Sequence, residues 1–265
     1  MAAEDGAPRR ARGRPRAFAD KTEQNTIQSL DRAMGILEGL AGLGAASLSE
    51  IAGTLGQSPA TVYRVLVTLE ARGIVELQAE DQTWAIGPRA FLIGSAFLRR
   101  ASVVERARAP MRRLRDETGE TANLGVARGD EVLFVSQAET HASLRAFFPP
   151  GTLSPLHASG IGKALLAWFD PARQAAYLKS AELTRFTART ITSADALAED
   201  LDRIRARGYA VDDEEKALGM RCVAAPVFDA GGEAVAGLSI SGPVSRVRLD
   251  TTDRLGGLVA RAAAE

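Results

Sequence analysis

The 265-residue chain has one cysteine, Cys222, and two histidines, His141 and His157. A single cysteine excludes an internal disulfide and a cysteine-based zinc finger, and it suits a reducing cytoplasm. With so few soft ligands, no structural metal and no other cofactor is expected. Net charge is absent too: 33 Lys and Arg stand against 33 Asp and Glu. No global field announces a nucleic-acid partner, so any basic footprint must be local. No uninterrupted apolar run approaches the roughly 20 residues of a membrane helix, and no membrane partner is expected. The head of the chain is charged and rich in Ala and Arg without an apolar stretch, so it does not read as a secretory signal. The expected location is the cytoplasm. The remaining composition is that of a soluble globular protein whose length favours two domains, each with its own core.

The most ordered pattern lies at residues 47–73, SLSEIAGTLGQSPATVYRVLVTLEARG. Ser47 and Glu50 form a capping box, Ile51, Ala52 and Leu55 give a short apolar face, and Gly56 closes the helix. Ser58 caps a second helix, with Pro59 at its first position, where a missing N–H costs nothing. Val62, Val65, Leu66 and Leu69 then repeat at helical spacing and Gly73 stops the run. The other face carries Ala60, Thr61, Tyr63, Arg64 and Thr68, small, hydroxylic or cationic side chains that suit a major groove. Two capped helices also make an ordinary hairpin. The residues after Gly73 argue against that: IVELQ, AEDQ and TWAIG read as strand, turn and strand, the wing of a winged helix-turn-helix. On this reading Arg64 reads a guanine edge, Thr61 and Tyr63 touch the duplex, and Ser58 meets a phosphate.

Around this centre the chain divides. Residues 1–25 read as a disordered basic arm, in which Arg12-Gly13-Arg14-Pro15-Arg16 resembles an AT-hook core. Arg14 and Arg16 would then enter a narrow minor groove; a solubilising tail is the other reading. Residues 26–87 are the expected DNA-binding domain. Its first helix spans 29–41, with Leu30, Ala33, Ile36, Leu37 and Leu40 inward. Residues 88–101 are the expected linker helix, apolar on several faces and suited to a second subunit. Residues 102–265 form the second domain, opening with a capping box at Ser102 and Glu105. Strands are expected at 121–126, 131–138, 144–148, 221–228 and 233–241, and helices near 159, 171, 193–207 and 250 onward. Hairpins with interspersed helices predict an α+β domain with helices to one side of its sheet.

After residue 25 the chain resembles the isocitrate lyase regulator (IclR) family of bacterial transcription factors. The segments that carry this are QSLDRAMGILEGLA, SPATVYRVLVTLEARGIV, WAIGPRAFLIGSAFL, LHASGIGKALLA and GYAVDDEEKALGMRCVAAPVFDAGGEAVAGLSISGP. The resemblance implies an N-terminal winged helix, a linker helix and a C-terminal GAF-like effector-binding domain. It also implies a homodimer, and commonly a homotetramer, on double-stranded operator DNA. The likeness is strongest to glyoxylate-sensing members. Cavity walls that are apolar in those members are Ser143, Ala146 and Ser154 here, while Met220 keeps the apolar character.

The residues themselves suggest a site for a small carboxylate. Ser239 and Ser241 stand two apart on a strand and share a face. Cys222 lies on the partner strand, and Asp212 adds an acceptor before it. Opposite, Gly160 and Ile161 begin a helix whose free amides suit an anion. Such a site fits a small oxo-acid, and the likeness to glyoxylate-sensing members implies glyoxylate as the effector, then pyruvate or another short 2-oxo acid, then a larger or aromatic acid. A cysteine-dependent hydrolase using Cys222 and His157 is the alternative from another class. Nothing around Cys222 resembles a nucleophile motif, and Arg221 should face away from it. No enzyme activity is expected.

Overall fold

The computed structural model describes residues 26–100, 102–146 and 148–265. The expectations for the arm at 1–25, including Arg14 and Arg16, and for the Ser102 cap fall outside what is described. The chain forms two compact units that meet in sequence at Phe97 and Leu98.

The N-terminal unit is built from α1 (Gln28–Leu43), β1 (Ala45–Ser47), α2 (Leu48–Thr54), α3 (Pro59–Glu70), β2 (Val75–Gln78) and β3 (Thr83–Ile86). Its caps are those the sequence predicts. Ser47 and Glu50 exchange both bonds of a capping box, and Ser58 Oγ accepts from Thr61 N at 3.2 Å. Gly56 and Gly73 leave their helices at φ of 59° and 67°, a conformation that costs a residue with a Cβ. Ile36 and Leu40 of α1, Ile51 of α2, Val62 and Leu66 of α3 and Trp84 of β3 close one core. The strands pair antiparallel in the order β1-β3-β2. Two features differ from expectation. Strand β1 is an addition, too short to show a period of two in sequence, with one buried residue, Ala46. Leu30 is 57% exposed, because α1 starts before the core reaches it.

α4 (Pro88–Arg100) leads to the second unit, which opens with α5 (Ser102–Thr118). Strands β4 (Thr121–Arg128) and β5 (Glu131–Ala138) form a hairpin. After them come β6 (Leu153–Pro155), α6 (Gly160–Ala167), α7 (Pro171–Ser180), α8 (Ala194–Arg207) and β7 (Ala210–Asp213). The hairpin β8 (Met220–Phe228) and β9 (Ala234–Pro243) and the helix α9 (Thr252–Ala263) complete the unit. Asp229 Oδ1 ties the β8–β9 turn by accepting from Gly231 N and Glu233 N. The six strands are antiparallel in the order β6-β5-β4-β9-β8-β7.

The helices cover both faces of this sheet, and not one as expected. Met111 and Leu114 of α5 pack with Leu255 and Val259 of α9 on the face carrying Val223, Leu238 and Ile240. Ile161 and Leu165 of α6 pack with Leu197 and Leu201 of α8 on the face carrying Ala210 and Ala224. Central β9 is buried along most of its length for this reason. Residues 144–148 are not a strand. Leu144 is exposed, Ala146 is buried, and the short strand β6 takes the place beside β5, with Ser154 opposite Val132.

Candidate functional site

Two sites arise, one in each unit. On α3 the inward stripe leaves Ala60, Tyr63, Arg64, Val67 and Thr68 exposed, with Thr61 half-buried. The packing of Val62 and Leu66 against α1 and α2 fixes the orientation of this face. Tyr63 is 53% exposed, a large ring held out toward solvent. Three hydroxyls are engaged at or within the helix. Ser58 Oγ and Thr61 Oγ1 lie 2.9 Å apart, and Thr68 Oγ1 donates to Arg64 O at 2.7 Å. Sequence reasoning missed Val67, exposed on this face, and Arg32 of α1. Arg32 shares with Arg64 and Thr68 a groove of about 350 Å³ between α1 and α3.

The second site follows from strand register. Asp212 of β7 lies opposite Cys222 of β8, which lies opposite Ser241 of β9. Directly paired residues share a face, so these three form a polar row across the sheet. One pair further along, Ala210, Ala224, Ser239 and Asn123 form the next row. The N-terminus of α6 lies over the row, so close that a Cβ on Gly160 would stand 2.7 Å from Cys222 Sγ. Ser159 caps α6, its Oγ accepting from Gly162 N.

Between them is a narrow cleft lined by Gly160, Ile161, Asp212, Cys222, Ser241 and Ser154, all anticipated from sequence. Its open volume is about 20 Å³, room for about one water molecule. Phe134 and Phe148, stacked at 4.9 Å, form one wall. Ser239 lies deeper on the same face, fully buried, and its Oγ lacks a hydrogen-bond partner among the described residues. Ala146 is buried in the loop before Phe148 and Met220 is half-buried opposite Pro243 at the strand end; neither lines the cleft. Ser143 is exposed.

The electrostatics are set by burial. Desolvation raises the Asp212 carboxyl to about 6 against the pull of Lys163 and of amides donating to it, among them Glu215 N at 2.8 Å. Burial also pushes the Cys222 thiol up to about 11, with the Asp212 charge adding to it. A thiol held neutral is the reverse of a nucleophile. His157 does not act as its base. The ring is buried, its Nε2 is 3.0 Å from Thr184 O, and desolvation lowers its pKa. Arg221 faces away from the cleft, donating to Asp213 and to Val247 O.

Sequence reasoning missed four side chains. Asn123 Nδ2 lies 3.4 Å from Ser241 Oγ and its Oδ1 accepts from Gln137 Nε2 at 3.0 Å. A polar residue in the middle of a buried strand was the available signal. Lys216 lines the cleft. Lys163 and Glu215 are buried and outside its lining: Lys163 Nζ donates to Glu215 Oε1 at 2.6 Å, Asp200 Oδ2 at 2.9 Å and Val211 O at 2.7 Å. Burial works against that charge, but Glu215 and Asp200 outweigh it and raise its pKa.

Residues 95–265 match the family model for the C-terminal domain of the bacterial transcriptional regulator IclR, and residues 29–79 match that for the IclR helix-turn-helix domain. The chain belongs to the IclR family. It is a ligand-responsive DNA-binding transcriptional regulator and not an enzyme. A relative, the HTH-type transcriptional regulator BhcR of Paracoccus denitrificans, is 56% identical over 241 residues, covering 90% of this chain and 86% of its own. The IclR crystal structure from Thermotoga maritima superposes with a TM-score of 0.75 at 32% identity, covering 90% of this chain and 96% of that one. An IclR homologue from Microbacterium hydrocarbonoxydans, crystallised with 4-hydroxybenzoate, has a TM-score of 0.78 at 25% identity, covering 89% and 95%. Both IclR-family units are thus present, the helix-turn-helix domain and the effector domain.

Proposed function

We propose that the effector of this regulator is a short 2-oxo acid, glyoxylate first and pyruvate next, bound in the cleft at the start of α6. The observation that carries this is the convergence of the α6 N-terminus, Asp212, Cys222 and Ser241 on a space with room for about one water. The amides of Gly160 and Ile161 and the hydroxyls of Ser239 and Ser241 hold the carboxylate, and Asp212 accepts from the hydrated carbonyl. Binding requires Phe148 and its neighbours to give slightly, which a two-carbon acid asks least of. A benzene ring, as in the 4-hydroxybenzoate complex of the Microbacterium homologue, demands a far larger opening. Calorimetry against C2 to C4 oxo-acids and benzoates tests this. Ser239→Ala, Ser241→Ala and Asp212→Ala should each weaken the preferred acid by roughly 1–3 kcal/mol, the cost of an unpaired buried partner. DNA binding without acid should be untouched. Unchanged acid affinity in all three variants contradicts the site.

On DNA, Arg64 reads a guanine through O6 and N7, Thr61 and Tyr63 contact the duplex beside it, and Ser58 binds a phosphate, with Ala60 and Thr68 on the same face. The exposure of this face supports the reading. Arg64→Ala should cost about 1–3 kcal/mol and relax preference at one base position. Equal weakening on all sequences makes Arg64 a phosphate contact instead. The arm at 1–25 adds Arg14 and Arg16 to an A·T-rich minor groove. The regulator works in the cytoplasm as a dimer, or a dimer of dimers. Apolar side chains left exposed along α1 and its start, Ile27, Leu30 and Met34, and along α4, Phe91, Leu92 and Ile93, support a second copy. The acid shifts the population of effector-unit arrangements, and α4 carries the change to half-site spacing.

A further inference from the structure

The cleft holds one carboxylate, Asp212, and an acid entering it brings a second. Like charges brought together in a poorly solvated space repel strongly, so acid binding there needs a cation. Lys163 cannot supply it. Its ammonium is fully buried and its three protons go to Asp200, Glu215 and Val211 O. Among the residues lining the cleft the cation is Lys216, three residues after Asp213 on the turn from β7 to β8. Its Nζ rests 3.3 Å from the centroid of the Phe186 ring and makes no ion pair among the described residues. That contact holds an ammonium partly out of water without neutralising it.

The turn that carries Lys216 is itself pinned. Thr187 Oγ1 donates to Glu214 O at 2.8 Å and Thr190 Oγ1 to Glu215 O at 2.6 Å, while Asp212 Oδ1 accepts from Glu215 N. The backbone of Lys216 is therefore fixed at the cleft and its long side chain is the part free to turn. It lines the same cleft as Gly160 and Ile161, whose amides are assigned to the anion.

We propose that Lys216 is the charge partner of the effector's carboxylate and that it restricts the site to acids carrying a single negative charge. The inference rests on the acid-site reading of the proposed function. With Asp212 and Lys216 both ionised the empty cleft is neutral, and a monoanion leaves it with one net negative charge shared among amides and hydroxyls. A dianion adds a second charge beside Asp212 with no cation to meet it. Lys216 thus selects by charge, while the narrow walls select by size.

The test is calorimetry of the full chain with glyoxylate, its neutral methyl ester and the dianion oxalate. The wild-type chain should bind glyoxylate about 10- to 100-fold more tightly than the ester, the range of a charge-assisted contact, and oxalate more weakly than glyoxylate. Lys216→Met should lose that preference and bind acid and ester alike, and Lys216→Arg should keep it. Asp212→Asn, by contrast, should weaken the ester more than glyoxylate: both lose the acceptor of their hydrated carbonyl, but only the anion is relieved of a like charge. A Lys216→Met chain that keeps the acid-over-ester ratio overturns the role of Lys216 and leaves the acid site standing. A wild-type chain that binds neither glyoxylate nor its ester overturns the acid site and Lys216 together. Thermal melting of Lys216→Met and Lys216→Arg at the wild-type temperature shows that the loss is one of recognition and not of fold.

Discussion

Lys163→Met should destabilise the effector unit by about 3–5 kcal/mol, the cost of breaking a buried ion pair from one side. The side chain is 1% exposed and runs from α6 to Asp200 on α8, Val211 O on β7 and Glu215 on the turn after β7. Methionine fills the volume but leaves Glu215 without its cation and Asp200 with only the exposed Arg203 at 3.5 Å, and Glu215 Oε2 already lacks a partner among the described residues. The penalty should depend on pH. Burial raises Glu215 to about 7 even beside Lys163. A carboxyl whose folded pKa is raised contributes stability that is present at low pH and lost as pH rises through the folded value. Without Lys163 the value climbs further, so the variant loses more than the wild type as pH rises. Urea midpoints at about pH 5.5 and about pH 8 should therefore show a wider gap at the higher pH. A loss below roughly 1 kcal/mol, or one equal at both pH values, means that water or a shifted backbone replaces the lysine.

Gly160→Ala should abolish acid binding and cost roughly 1–3 kcal/mol of stability, as overpacking does. The new methyl would stand 2.7 Å from Cys222 Sγ and 3.4 Å from the Ala224 Cβ, so α6 must lift from β8. Lifting moves the amides of Gly160 and Ile161, the groups assigned to the carboxylate. Because the clash is with one side-chain sulfur, Cys222→Ala in the same chain should return most of the stability, a coupling that a double-mutant cycle reads directly. Gly162 offers the contrast. Its added Cβ would meet the Leu156 carbonyl oxygen at 2.2 Å, a backbone clash that no side-chain change relieves. A Gly160→Ala chain with wild-type acid affinity removes the α6 amides from the site.

Much of the N-terminal unit was legible because its signals are local. Ser47, Glu50, Ser58, Pro59, Gly56 and Gly73 act within one turn of where they stand, and the stripe Val62, Leu66 needs only helical spacing. The effector unit was legible where strands are long, as in β8 and β9, whose hairpin turn Asp229 closes by itself. It was misread where pairing is short or set by distant contacts. Residues 144–148 look strand-like in composition. There the Leu144 carbonyl instead accepts from Arg246 Nη2 at 2.9 Å, and Arg145 pairs with Glu139. Helices on the second face were foreshadowed by β9, too apolar and small-residued to face water on one side. The serines and Cys222 came together because period two and one hairpin suffice to align them, while Asp212 joins them through the separate pairing of β7 with β8. Lys163 and Glu215, 52 positions apart, could not be found that way, since a lone charge in a sequence reads as surface until its partner is placed. Lys216 was missed for the same reason.

One short oxo-acid and one operator duplex should speak to each other through this chain, and calorimetry can show it directly. Glyoxylate is titrated into the full chain, free and saturated with a duplex selected in vitro from a random pool, followed by the reverse titration at saturating acid. The expected result is binding without turnover, and a change in acid affinity on DNA of about 5- to 150-fold matched by the same change in DNA affinity with acid. Acid affinity that is identical with and without DNA, or no binding of any short 2-oxo acid to either form, contradicts this coupling.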